Sequence, residues 1–297
     1  MSATLFDHHL ARVEAGEALS PDTIRELSAA PDIVSLGMLA DTVRRQLRGS
    51  RATYLRVACC ALDKSFADAV APAAREICVT GSPDSLDVAL TAVHSAKAMA
   101  GARSVSGFSW ADVERLSDGE PRQVPRVLDE LRRAGLDALA ELPLDAMADD
   151  VNALERLRAA GFDQLRLTVD AGGSATRPEL WLRAAELQHR VGGIHAINPL
   201  PTQLRTFRPT TGYEDVRTVA LARLAAPGIP TIQVDWRRYG PKLAQVALTF
   251  GADDVWGVSA SNEAPEGRRR APLEEIRRNI EAAGFEPVER DGRFATA

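Results

Sequence analysis

Eight short apolar runs separated by helical patterns constrain this chain more than any other feature. The runs lie at 53–59, 75–80, 102–107, 137–142, 163–169, 193–198, 229–235 and 254–259. Apolar residues recur at helical spacing over about 84–99, 122–134, 150–160, 177–190, 213–225, 241–250 and 272–283. Short strands alternating with helices pair in parallel, and right-handed crossovers close eight such units into a barrel. The fold class is therefore read as α/β, a TIM-type (β/α) barrel. The 297-residue length suits one such domain. No linker or low-complexity stretch divides it. Residues 1–48 read as N-terminal helices packing on the barrel, two of them over 4–48, covering its bottom. Residues 49–297 read as the barrel with a C-terminal helix and tail.

Local signals sharpen this picture. Ser20-Pro21-Asp22 is an N-cap followed by a first-turn proline. Gly240-Pro241 opens a helix whose Leu243, Val246, Ala247 and Phe250 share a face, and Gly251 closes it. The endings Ala-Gly-Leu-Asp at 134–137 and Ala-Gly-Phe-Asp at 160–163 mark helix C-caps that feed the next strand. Ser82-Pro83-Asp84 reads as another N-cap.

Function concentrates where parallel strands end. Ser82, Ser109, Glu141, Asp170, Asn198, Asp235, Ser261, Asn262 and Glu263 are expected at that rim. Glu263, Asp235 and Glu141 are the catalytic candidates, since acid/base work needs paired carboxylates. Asn198, Ser261, Asn262, Asp170 and Trp236 are the ligand-binding candidates, Trp236 because an indole stacks on a base. Packing is the preferred reading of Trp256. His195 reads as a strand residue without a partner, and His8 and His9 as solvated. Asp170-Ala171-Gly172-Gly173-Ser174 lacks both the GxGxxG spacing and a Walker lysine, and Arg268-Arg269-Arg270 reads as a solvated loop. No residue set has metal-ligand spacing.

Composition excludes several classes. A formal charge of −5 with 45% hydrophobic residues gives no reason to expect nucleic acid or an anionic membrane as partner. The first residues lack an apolar leader core, and no stretch reaches the length of a membrane span. Three cysteines, two of them adjacent, argue for a reducing cytoplasm over a disulfide framework.

The run Lys242-Leu243-Ala244-Gln245-Val246-Ala247-Leu248, then Phe250-Gly251-Ala252-Asp253-Asp254, and finally Ala283 to Asp291 carry a resemblance. Together with Trp236, Gly240 and Glu263 they resemble the radical-SAM enzymes of the futalosine route to menaquinone, aminofutalosine synthase and its cyclase relative. The second subunit of deazaflavin synthase is similar too. Gly192 to Pro201 resembles the family's sixth-strand phrase, with Asn198 in place of an apolar residue and Thr202 to Arg208 in place of a His-Pro turn. The resemblance implies a [4Fe–4S] cluster on a CxxxCxxC loop, S-adenosylmethionine on its open iron, and an acid at Glu263.

The chain departs from that pattern where the cofactor belongs. Tyr54 to Lys64 contains only Cys59 and Cys60, which point to opposite faces if the strand persists. Cys78 sits mid-strand, and Thr80-Gly81-Ser82 keeps one glycine of a Gly-Gly turn. The segment from Lys64 to Arg75 is short for a cluster loop and helix. The expectation is a degenerate paralogue without cofactor, binding a futalosine-type, nucleoside-like intermediate or pairing with a menaquinone-pathway enzyme, as a homo- or heterodimer. One alternative is a cofactor-free lyase, hydrolase or isomerase using the rim carboxylates. The other is an aminofutalosine-synthase-like transferase still active with a partner.

Overall fold

Each apolar run becomes a strand of one sheet. The computed structural model describes residues 3–66, 70–170, 178–201, 212–267 and 269–296. The strands are β1 (Arg51–Ala61), β2 (Glu76–Thr80), β3 (Ser104–Ser109), β4 (Ala138–Pro143), β5 (Leu165–Asp170), β6 (Ile194–Leu200), β7 (Thr231–Asp235) and β8 (Asp254–Ser259). Neighbours pair in parallel and in chain order, and β1 pairs with both β8 and β2, which closes the barrel. A ninth strand, β9 (Glu286–Glu289), adds to the start of β1. It escaped the sequence reading because it is short and polar and pairs only with Arg51 to Tyr54.

Helices α4 (Leu86–Ala100), α6 (Val124–Ala134), α7 (Asp150–Ala159), α8 (Pro178–Arg190), α9 (Tyr213–Ala225), α10 (Trp236–Leu248) and α11 (Pro272–Ala282) form the outer ring. A seven-residue α5 (Trp110–Leu116) is also present, held by a capping box between Ser109 and Asp112. In α10 the chain breaks at Gly240, φ 70°, and Pro241 begins the longer segment, as the Gly-Pro pair foretold. α4 is capped by Ser85, not Ser82: its side chain accepts from the Val88 N–H. Among the described residues, no helix lies between Ala61 and Glu76.

The N-terminal segment forms three helices, not two: α1 (Ala3–Glu14), α2 (Pro21–Ala29) and α3 (Ile33–Arg48). Pro31 ends the second, and the Asp32 carboxylate caps the third by accepting from the Ser35 N–H. α2 and α3 pack on α9. That helix is buried from Asp215 to Ala225, all the way round, and needs such a cover. His9 is buried with α1, not solvated as expected; its ring pKa is lowered by burial and then by His8 and Arg12.

The barrel bottom is closed by the C-terminal tail. Arg290 donates to both Asp254 carboxylate oxygens at 2.6 and 2.7 Å, and the Gly292 carbonyl accepts from Arg166 at 2.8 Å. The Phe294 ring lies 4.0 Å from His195 and 4.0 Å from the Arg290 guanidinium, centroid distances in both cases. A Cβ at Gly292 would overlap Ser104 Oγ and Glu76 Oε2, so the tail passes only because this residue has none. His195 therefore has a packing partner, and burial followed by Arg290 lowers its pKa to about 4.

Candidate functional site

Side chains alternate along a strand, so every second residue of the barrel faces its axis. Here that axis carries charge where most such barrels carry branched aliphatics. Glu76 at the start of β2 is fully buried and accepts from Arg166 of β5 at 2.6 and 3.1 Å. Ser106 Oγ and Trp256 Nε1 donate to the same carboxylate at 2.7 and 3.0 Å. Burial pushes the Glu76 pKa up, but Arg166 and these donors outweigh it and hold the carboxyl below its ordinary range. Asp254 is the same case: burial is outweighed by Arg290, Thr53 and Gln233.

Above this ionic floor the strand ends open on a cavity of about 590 Å³. Arg166, Thr168, Asn198, Gln233, Asp235 and Trp256 line its wall, and Arg237 and Arg238 of α10 reach it from the rim. Three buried polar atoms on these lining residues have no protein partner: Arg166 Nε, Thr168 Oγ1 and Asn198 Oδ1. Their residues are 3%, 2% and 6% exposed, so each atom is withdrawn from bulk water. Unpaired buried polar atoms cost about 1–3 kcal/mol each unless water or a ligand supplies the bond.

The rim cations differ in their engagement. Arg238 is paired with Glu141 and lies 3.5 Å from Asp235. Arg237 makes no carboxylate ion pair among the described residues; its Nη1 donates to Cys59 Sγ at 2.9 Å. Asp235 caps α10, its Oδ1 accepting from the N–H groups of Arg237 and Arg238 at 2.8 and 3.3 Å. Burial raises its pKa against the pull of Arg238.

Seven of the eight predicted site residues divide between two cavities. Glu141, Asp235 and Asn198 line the mouth cavity. Trp236, Ser261, Asn262 and Glu263 line an adjoining cavity of about 860 Å³, separated from the first by Arg237, which borders both. Asp170 ends β5, exposed, its N–H donating to Asp145 at 3.2 Å. The three catalytic candidates thus do not share one cavity, and two already have structural partners. Trp256, not Trp236, faces the mouth. The arginines 166, 237 and 238 were not anticipated, although Arg237-Arg238 directly after a strand-end Asp-Trp pair was a readable signal. Residues 171–174, 202–208 and Arg268 lie outside the described residues.

Residues 198–296, which supply the strand ends from Asn198 to Ser259 and the closing tail, match the CofH/MqnC C-terminal region. The chain is related to the radical-SAM enzymes of the futalosine route. It is 29% identical over 249 residues to the 5-amino-6-(D-ribitylamino)uracil–L-tyrosine 4-hydroxyphenyl transferase of Archaeoglobus fulgidus, covering 73% of this chain and 72% of that one. With the aminodeoxyfutalosine synthase of Thermus thermophilus it shares 28% identity, over 64% of this chain and 59% of that protein. The barrel resembles the FeFe-hydrogenase maturase HydG of Carboxydothermus hydrogenoformans, TM-score 0.69 at 15% identity, covering 99% of this chain and 80% of that one. It matches methylornithine synthase (PylB) equally, TM-score 0.69 at 15% identity, over 94% and 97%. At that identity the likeness concerns the fold.

The donor set does not fit the cluster that the relationship implies. A site-differentiated [4Fe–4S] cluster in this family needs three converging thiolates. Cys59 and Cys78 are partners across β1 and β2 and join one small cluster inside the barrel. Cys60 turns outward into the apolar layer beneath the helices, where burial and then Cys59 push its thiol up to about 11. Two thiols converge and the third faces away. The three thiols are thus not arranged as three ligands of one such cluster.

Proposed function

We propose that this chain is a cluster-free member of the futalosine-route barrels, whose mouth binds a small nucleoside-type ligand. One observation carries the reading: Arg166, Thr168 and Asn198 line one cavity, and each carries a buried polar atom without a protein partner, Nε, Oγ1 and Oδ1 respectively. They offer a donor, a hydroxyl and an acceptor, the complement of an amide edge or a pair of hydroxyls. The Trp256 indole lines the same wall and supplies a stacking face. Arg237, unpaired by carboxylate, supplies a cation at the rim for an acidic substituent. The names of two relatives, which speak of a ribitylaminouracil and an aminodeoxyfutalosine, support ligands with that mixture of ring and hydroxyl groups. Catalysis by rim carboxylates has less support, because Glu141 is engaged by Arg238, Asp235 caps α10 and Glu263 opens on the other cavity.

Calorimetric titration with aminodeoxyfutalosine and with ribitylaminouracil tests this. Binding of at least one is expected. Asn198→Leu should weaken it by about 1–3 kcal/mol, about 5- to 150-fold in Kd. The same substitution removes an unsatisfied buried acceptor, so thermal stability should not fall. Absence of binding by either compound, or binding indifferent to Asn198→Leu and Thr168→Val, would refute the reading.

A further inference from the structure

Cys59 and Cys78 form a constellation that ligand binding does not use. They sit at the same level on adjacent parallel strands, and both side chains face the barrel interior. Adjacent strands lie about 4.8 Å apart, within the about 4.4–6.8 Å Cα separation that a disulfide spans. The Cys78 thiol lies against the Val79 carbonyl at 3.9 Å, and Arg237 Nη1 donates to Cys59 Sγ at 2.9 Å. Cys59 is half-buried and borders the larger cavity, from which a small peroxide reaches it, while Cys78 is buried beside it in the mouth wall.

We propose that Cys59 and Cys78 are a peroxide-oxidisable dithiol in the wall between the two cavities. Cys59 is the attacking sulfur, since the Arg237 guanidinium donates to it and stabilises its thiolate. Its electron pair attacks a hydroperoxide, the O–O bond breaks, and Cys59 becomes a sulfenic acid while the alcohol, or water from hydrogen peroxide, leaves. The Cys78 thiol then attacks that sulfur, the S–O bond breaks, and a second water departs. Two thiols are oxidised to a disulfide and one peroxide is reduced. The disulfide carries no charge, so Arg237 loses its thiolate partner and turns to the anionic end of whatever occupies the mouth. Cys60 takes no part, because it lies on the other face of β1 in apolar packing. The proposal does not depend on which ligand the mouth accepts.

Reduced full-length protein is treated with hydrogen peroxide, quenched with N-ethylmaleimide, and its intact mass and tryptic peptides are measured. The expected product has lost the mass of two hydrogens. It links the peptide holding Cys59 to that holding Cys78, with Cys60 free. Before oxidation, Cys59 should alkylate at least about tenfold faster than Cys60. Dimedone should trap Cys59 in Cys78→Ser and nothing in Cys59→Ser. Both thiols remaining free after peroxide, a link through Cys60, or equal alkylation of Cys59 and Cys60 would overturn the proposal. The wild-type mass measurement stands even if either variant fails to fold.

Discussion

Replacing Glu76 by alanine is expected to cost about 3–5 kcal/mol of folding stability, read as a lower urea midpoint. The reason is the charge left behind. Glu76 is 0% exposed and Arg166 3%, so neither group can turn to water when its partner goes. Breaking a buried ion pair from one side strands the other charge, which costs about that much. The loss spreads further here, since Ser106 Oγ and Trp256 Nε1 also give up their acceptor. Exchanging both members, Glu76→Leu with Arg166→Met, should recover a large part of the loss, because the stranded charge disappears. A Glu76→Ala protein as stable as wild type would show that the pair is not dry.

The same group fixes the acid limb of stability. The folded Glu76 pKa is depressed, so the unfolded chain takes up its proton first as pH falls. Its contribution is complete above the unfolded value of about 4.3 and is lost as pH drops through the lower folded value. Asp254, depressed in the same sense, adds to that limb. Glu76→Gln should flatten the decline below about pH 4.3.

Arg290→Met should be comparably damaging, about 3–5 kcal/mol, for a related reason. It leaves the fully buried Asp254 without its bidentate partner. It also removes the guanidinium that stacks on Phe294, so the tail that plugs the barrel loses its anchor. The damage should reach the mouth, because the tail's Gly292 carbonyl accepts from Arg166, a residue that lines the ligand cavity. At temperatures where it remains folded, Arg290→Met should therefore bind the mouth ligand more weakly than wild type. Unchanged stability and unchanged binding together would mean that the tail is an ornament on the fold.

These two residues also show where the sequence stops being legible. The strands and the ring helices were readable, because an apolar period of two or of 3.6 is written locally. What the axis contains was not. Glu76 and Arg166 are 90 positions apart, and nothing in the spacing of either says that they meet. Glu76 read as the second residue of the run 75–80, with no sign of its depth. The last residues read as a tail, whereas Arg290 and Phe294 close the barrel. Asp235 ends its strand as read, and Asn198 and Glu141 fall in the C-terminal halves of theirs, two residues short of the end. Their division from Glu263 depends on the α10 arginine that stands between the two cavities, a side-chain matter that topology leaves open. The opposite facing of Cys59 and Cys60 followed from strand alternation alone.

That alternation keeps the three thiols from meeting, and iron and sulfide analysis after anaerobic reconstitution tests it most directly, with a parallel titration of S-adenosylmethionine. Iron well below one atom per chain is expected, with no paramagnetic signal that responds to S-adenosylmethionine. About four irons per chain, with a signal perturbed by that compound, would contradict the cluster-free barrel. Cys59, Cys60 and Cys78 would then have to converge, or a partner chain to lend the missing thiolates.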